Sequence, residues 1–178
     1  MTTRILLVRA VNVGGAKLPM AAFRELLTEL GGENVRTYIA SGNAVLDVPG
    51  DVAAFDRAVE KALTDRYGYV REVISRSPDE LEVALKAHPF EVIEPKYSYI
   101  APLTGSPAKE AIAKAREVPT GDDQWEVIGA DLHIRYANGA GRADLDMNKV
   151  LKRLGVQGTA RNLNTVRALI ELASKDAS

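Results

Sequence analysis

Cysteine is absent from the 178 residues, which excludes disulfides, thiolate metal ligands and a cysteine nucleophile and fits a reducing compartment. Histidine is nearly as scarce: two residues leave little material for metal ligation or for general-base chemistry near neutral pH. Long apolar runs are missing as well. The first, Ile5 to Val8, is too short for the core of a secretion signal, and nothing approaches the roughly 20 residues of a membrane-spanning helix. These absences predict a cytoplasmic protein that meets no membrane. Charge of one sign is also missing. With 23 Lys and Arg against 24 Asp and Glu, the net charge of −1 disfavours a general nucleic-acid binder, which neutralises phosphates with a clear basic excess. What the chain does have is 46% hydrophobic residues, enough for one or two domains that bury roughly 70% of the unfolded surface without a staple.

The apolar pattern sets the order of elements. Arg4 to Val11 reads as a buried strand, broken by Asn12, Gly14 and Gly15 ahead of Pro19, a residue suited to the first turn of a helix. Phe23, Leu26, Leu27 and Leu30 then make one apolar stripe ended by Gly31 and Gly32. Val35, Thr37 and Ile39 alternate with polar or aromatic neighbours, and the run Asn43 to Val48 follows Ser41-Gly42, which predicts a tight β-hairpin. Asp51 can cap a helix whose inner face is Phe55, Val59, Ala62 and Leu63, and Val70 to Ser75 supplies a fourth strand. The order βαββαβ is that of a ferredoxin-like unit.

The order then returns. Ser77-Pro78-Asp79 opens a helix with the stripe Leu81, Ala84, Leu85 and His88, followed by Pro89 and Pro95 around an extended segment. Beyond this linker come a strand at Tyr97 to Leu103, a helix at Ser106 to Glu117, and a hairpin of Asp123 to Ile128 with Leu132 to Tyr136. The loop Asn138 to Arg142 leads to a helix with Met147, Val150, Leu151 and Leu154 inward; Val156 to Ala160 is strand-like, and Asn162 can cap a last helix. The expectation is an α+β fold of two ferredoxin-like βαββαβ subdomains, a tandem duplication, over 1–76 and 96–178, with a linker helix and extended segment at 77–95 and an additional C-terminal helix. No residue-level repeat is visible, so the duplication rests on element order.

Topology turns this order into a candidate site. In a ferredoxin-like unit the loop after the first strand and the hairpin between the second and third share one end of the sheet, here Asn12 to Lys17 and Ser41-Gly42-Asn43. The first of these also precedes a helix N-terminus, where free N–H groups favour an anion. In the second unit Asn138 to Arg142 and Thr159 to Asn162 share the opposite end, and there six cations between Arg142 and Arg167 face two carboxylates. The candidate ligand residues are therefore Arg9, Asn12, Gly14, Gly15, Lys17, Ser41 and Asn43 on one edge, and Arg161, Asn162 and Thr165 on the other.

Sharper chemistry finds little support. Gly14-Gly15-Ala16-Lys17 lacks the spacing of a nucleotide-hydrolysing phosphate loop, and a tight turn before a helix accounts for its glycines. Ser41 has no base in view: His88 continues an apolar helix stripe and His133 lies on the outward face of a strand, so each reads as structural or solvated. Asp144 and Asp146 show no metal-ligand spacing, no metal or cofactor is expected, and nothing singles out a carboxylate pair. RNA-recognition motifs stack bases on aromatics of the two central strands, which Arg4 to Val11 and Asn43 to Val48 lack. Tyr97, Tyr99 and Trp125 read as core.

Arg9-Ala-Val-Asn12-Val-Gly14-Gly15, Pro19-Met20, Arg36-Thr-Tyr-Ile-Ala-Ser41-Gly42-Asn43 and Thr159-Ala160-Arg161-Asn162 together resemble a bacterial family classified only as a domain of unknown function, family 1697. The resemblance covers the whole chain and implies a pair of ferredoxin-like subdomains; it implies no activity, cofactor or catalytic residue. The family motif has glycine then isoleucine where Ala10 and Val11 stand, and Ser-Lys where Ala143-Asp144 follow Arg142. The function expected is binding of a small anionic metabolite at the polar loop edges, with a protein-interaction module as the alternative and nucleic-acid binding behind both.

Overall fold

The computed structural model describes residues 1–10, 17–68 and 71–175. They form two compact units, one of Met1–Leu81 with Ala168–Ser178 and the other of Glu82–Arg167. Each contains one four-stranded antiparallel sheet with helices on a face, the ferredoxin-like arrangement, so the fold is a duplicated α+β.

In the first unit β1 (Thr2–Val8), β2 (Glu33–Thr37), β3 (Asn43–Val48) and β4 (Val73–Arg76) lie in the order β2-β3-β1-β4. Leu6, Val8, Ala44, Leu46 and Val73 face α1 (Met20–Glu29) and α2 (Val52–Tyr67), and join Phe23, Leu26, Leu27, Phe55, Val59 and Leu63 in one core. The other face is equally dry, with Ile5, Leu7, Val45 and Ile74 no more than 4% exposed. Burial on both faces is why β1 and β3 read as continuous apolar runs rather than as alternating ones. Asp51 caps α2 by accepting from the Ala54 amide at 2.8 Å, and Gly68 ends it in the left-handed conformation.

The second unit repeats the order with β5 (Ser98–Pro102), β6 (Gln124–Ile128), β7 (Asp131–Arg135) and the two-residue β8 (Arg161–Asn162), arranged β6-β7-β5-β8. Its helices are α4 (Lys109–Ala115) and α5 (Met147–Leu154), over a core of Ala101, Trp125, Leu132, Ile134, Val150 and Leu154. α3 (Pro78–Ala87) and α6 (Leu163–Ser174) complete the chain. Each carries a boundary between the units.

Several local expectations shift. The β2–β3 connection is not a two-residue hairpin. β2 stops at Thr37, and Tyr38 to Gly42 form a five-residue turn closed by the Tyr38 amide on the Asn43 carbonyl at 3.2 Å. Val156 to Ala160 are not a strand; the pairing with β5 is the bridge Leu103–Gly158 and then Arg161 and Asn162. Gly158 is fixed by that approach, since a Cβ there would lie 2.7 Å from the Leu103 side chain. The final strand of each copy is short because only its pairing with the first strand defines it.

Candidate functional site

One end of the first sheet gathers three chain segments. The Val8 amide donates to the Gly42 carbonyl at 2.9 Å, which ties the end of β1 to the hairpin turn, and the Arg9 amide donates to the Glu72 carbonyl at 3.0 Å, which ties it to the approach to β4. The end of β1 and the hairpin turn therefore meet. The approach to β4, residues 71 and 72, is an added contributor that sequence reasoning missed. It was visible in principle, because in this topology α2 also ends where β1 ends.

The side chains at this end carry charge and strain. The Arg9 guanidinium donates to the Glu72 carboxylate at 2.5 Å, and Arg71 donates to the Ala10 carbonyl at 3.3 Å. Burial works to raise the Glu72 carboxyl, but its hydrogen bond from Arg9, with a backbone bond and the charges of Arg9 and Arg71, holds it below the usual range. Lys17, exposed, leads into α1 at the same end, and the α1 N-cap position is Pro19, which offers no side-chain cap. The charges of Arg9 and Arg71 thus both act on the Glu72 carboxylate.

Two residues here adopt backbone conformations that suit glycine. Ala10 sits at φ 55° and Ile39 at φ 47°, and the Ile39 side chain is 55% exposed. A left-handed L-residue costs roughly 1–2 kcal/mol, and for a β-branched one the conformation is an outlier.

The remaining candidates of this edge divide. Ser41 is half-buried on the turn, and its Oγ accepts from the Asn43 side-chain amide at 2.7 Å. Asn43 is fully buried and also donates to the Tyr38 carbonyl at 3.0 Å, so its observed work is to hold the turn. Asn12, Gly14 and Gly15 lie outside the described residues.

The second unit's edge has a different character. Asn162 Oδ1 accepts from the Thr165 amide at 2.9 Å, an N-cap for α6, and Thr165 is buried. Arg161 is buried, and its guanidinium donates to Thr159 Oγ1 and to the Ala160 carbonyl at 3.0 Å. Burial pushes it down to about 10. The glycine-bearing loop is already filled by the protein's own anion: the Asp123 carboxylate accepts from the amides of Ala137, Asp144 and Leu145 at 2.7–2.9 Å. Amides that would serve an outside anion are engaged.

Trp125 and Tyr99 join the core of the second unit, whereas Tyr97 lines a small cavity. Trp125 is 4% exposed, with the Arg116 guanidinium 3.7 Å from its ring centre, and Tyr99 packs edge-on against Tyr136. They offer no platform for stacked bases. Among the described residues, a cavity of about 50 Å³ is lined by residues including Ile93, Tyr97, Arg135 and Tyr136, and an open hollow of about 430 Å³ lies over Arg24, Glu25 and Thr28 of α1. Neither touches the sequence-derived candidates. No group of three metal-ligating side chains occurs among the described residues, and none of the helices there is long and apolar enough to cross a membrane.

These features define a class: a duplicated ferredoxin-like protein in which one copy carries a charged, strained loop edge. The chain belongs to the family described as protein of unknown function (DUF1697), whose model matches residues 1–133. No curated protein matches it. Among solved structures it is similar to the conserved bacterial protein SP0830 from Streptococcus pneumoniae, at 23% identity over 98% of this chain and 99% of that one, with a TM-score of 0.76. That likeness shows the fold alone. A putative glycine cleavage system transcriptional repressor aligns over 89% of this chain and 95% of its own at 13% identity, and its TM-score of 0.21 carries no argument.

Proposed function

We propose that the protein binds a small anionic ligand, a phosphate or carboxylate compound, at the end of the first sheet where β1, the β2–β3 turn and the approach to β4 meet. The observation that carries this reading is the strain at Ala10 and Ile39, two non-glycine residues held left-handed at one end of one sheet beside Arg9 and Arg71. An exposed isoleucine in that conformation adds nothing to the core, and strain of this kind persists where a site uses it. Ser41 and the loop carrying Asn12, Gly14 and Gly15 belong to the same edge in this reading. Arg71 and Lys17 supply charge to the ligand, while Glu72 orients Arg9. The compartment proposed is the cytoplasm.

A thermal-shift panel of inorganic phosphate, nucleotides, sugar phosphates, carboxylates and oligonucleotides tests the reading. A ligand that prefers the folded state raises stability by about 2.7 kcal/mol at a hundredfold excess over Kd, a rise of roughly 5 °C or more in Tm. Arg71→Ala and Lys17→Ala are expected to reduce that shift while leaving the unliganded Tm within a few degrees. A shift with oligonucleotides alone redirects the edge to nucleic acid, and no shift across the panel overturns the proposal in favour of a protein-interaction surface.

A further inference from the structure

The two histidines, 45 residues apart in sequence, meet in the second unit. His88, one residue past the end of α3, places its Nδ1 2.9 Å from the Nδ1 of His133 on β7. Leu132 and Ile134 point to the α4/α5 core, so His133, between them, is on the opposite face of the sheet, yet it is 0% exposed. The ring of Phe90 stands edge-on to His88 at 5.6 Å. A bond between two Nδ1 atoms has one arrangement for neutral rings: one Nδ1 carries hydrogen and donates, the other presents its lone pair. The rings are therefore opposite tautomers, and of their two Nε2 atoms one is bare and the other protonated. Both Nε2 atoms are buried with no hydrogen-bond partner among the described residues.

We propose that His88 and His133 form an acid-opened latch that holds the segment after α3, residues 88–94, against this face of the second sheet. A first added proton must go to the bare Nε2, where it creates a buried cation with no acceptor. A second must go to the accepting Nδ1, where it sets two N–H groups against each other and breaks the bond. The charged neighbours do not help. Arg167 of α6 adds a positive charge that opposes protonation of His88; Arg161 of β8 lies in the same row beyond Ile100; and Glu126 of β6, the register partner of His133, is ion-paired with Arg116 at 2.9 Å. Burial, and then the charge of His88, hold His133 down at about 4, and burial followed by Arg167 lowers His88. The closed latch thus excludes protons that both rings accept once the segment lifts and water reaches them, so opening takes up two protons together.

Amide hydrogen exchange at His88, whose amide donates to the Leu85 carbonyl at 3.4 Å, corrected for intrinsic pH dependence, reads the latch directly. Uptake of two protons raises the opening constant about 100-fold per pH unit below roughly pH 6, whereas one proton raises it about tenfold. His88→Asn keeps an amide group near the position of Nδ1 but does not titrate, so its rise is expected to fall to about tenfold per unit. Imidazole ¹⁵N NMR of the unsubstituted protein at pH 7 is expected to show one ring protonated at Nδ1 and the other at Nε2, and it decides the matter if the variant does not fold. Like tautomers, exchange independent of pH, or equal slopes in both proteins overturn the latch.

Discussion

The two sheets close the same end in the same way and furnish it differently. In the first unit the Val8 and Arg9 amides bond to the hairpin turn and to the approach to β4; in the second the Leu103 and Thr104 amides do the same to Ala130 and Gln157, each at 2.9 Å. At that shared frame the second copy places Thr104, whose Oγ1 accepts from the Gln157 amide at 3.1 Å, and a short turn with Gly129 at φ 61°. The first copy places Arg9, Glu72 and Arg71, with a longer turn and two strained residues that are not glycine. A frame that the second copy completes with Thr104, Gln157 and a turn glycine does not itself demand an Arg–Glu pair or a strained non-glycine residue. The proposed site accounts for their confinement to one copy, and the opposite edge of the second copy, filled by Asp123, is the counter-example.

The largest expected effect breaks that counter-example. Asp123→Ala leaves three amides without their acceptor at a buried carboxylate and is expected to cost on the order of 3 kcal/mol in denaturant unfolding. A loss below about 1 kcal/mol means the loop finds other acceptors and is no closed anion site.

Acid should separate the two copies with a comparable amplitude. His133 and His88 have folded values lowered from 6.5, so the stability they contribute is full above about pH 6.5 and falls as the pH drops towards the value near 4 of His133, because the unfolded chain binds protons the folded one excludes. The loss is on the order of 3 kcal/mol for a shift of that size. Asp56, in the first unit, has the opposite sign. Burial raises its carboxyl above 3.8 against the hydrogen bond from Ser75, so its contribution is present in acid and declines as the pH rises through the folded value. Trp125 fluorescence, the single tryptophan signal, is expected to report the second unit loosening before amide exchange does so for β1 and β3. The reverse order contradicts both assignments.

The smallest effect sharpens the comparison most. Ala10→Gly and Ile39→Asn relieve left-handed residues and are expected to raise stability by about 1 kcal/mol each in urea unfolding. If the strain serves a ligand, Ile39→Asn also weakens the thermal shift that the ligand produces. Substitution without stabilisation would mean that the turn relaxes around the side chain and stores nothing.

The architecture was legible because it is written in short-range terms. Apolar periods of two and of 3.6 placed β3 at Asn43 to Val48 and α5 at Met147 to Leu154, and Asp51 and Asn162 were readable as caps because a cap needs only an acceptor next to the first turn. Topology then brought the end of β1 to the hairpin. What failed was local backbone choice. The turn after β2 begins at Tyr38 rather than Ser41, and no propensity argument puts an isoleucine in a left-handed conformation. Likewise Asn43, Asn162 and Thr165 carried polar chemistry in the sequence, and the fold commits that chemistry to a turn and a helix cap.

The sequence by itself determined two copies of one α+β unit, because burial of apolar surface acts at fixed chain spacings that a single strand or helix displays. The tertiary structure alone decided which loop edge keeps charge, which is filled by Asp123, and that two lone histidines share one hydrogen bond. Those outcomes depend on partners 14 to 63 residues apart, and the free energy of pairing a buried polar group belongs to both partners at once, so neither segment carries it alone.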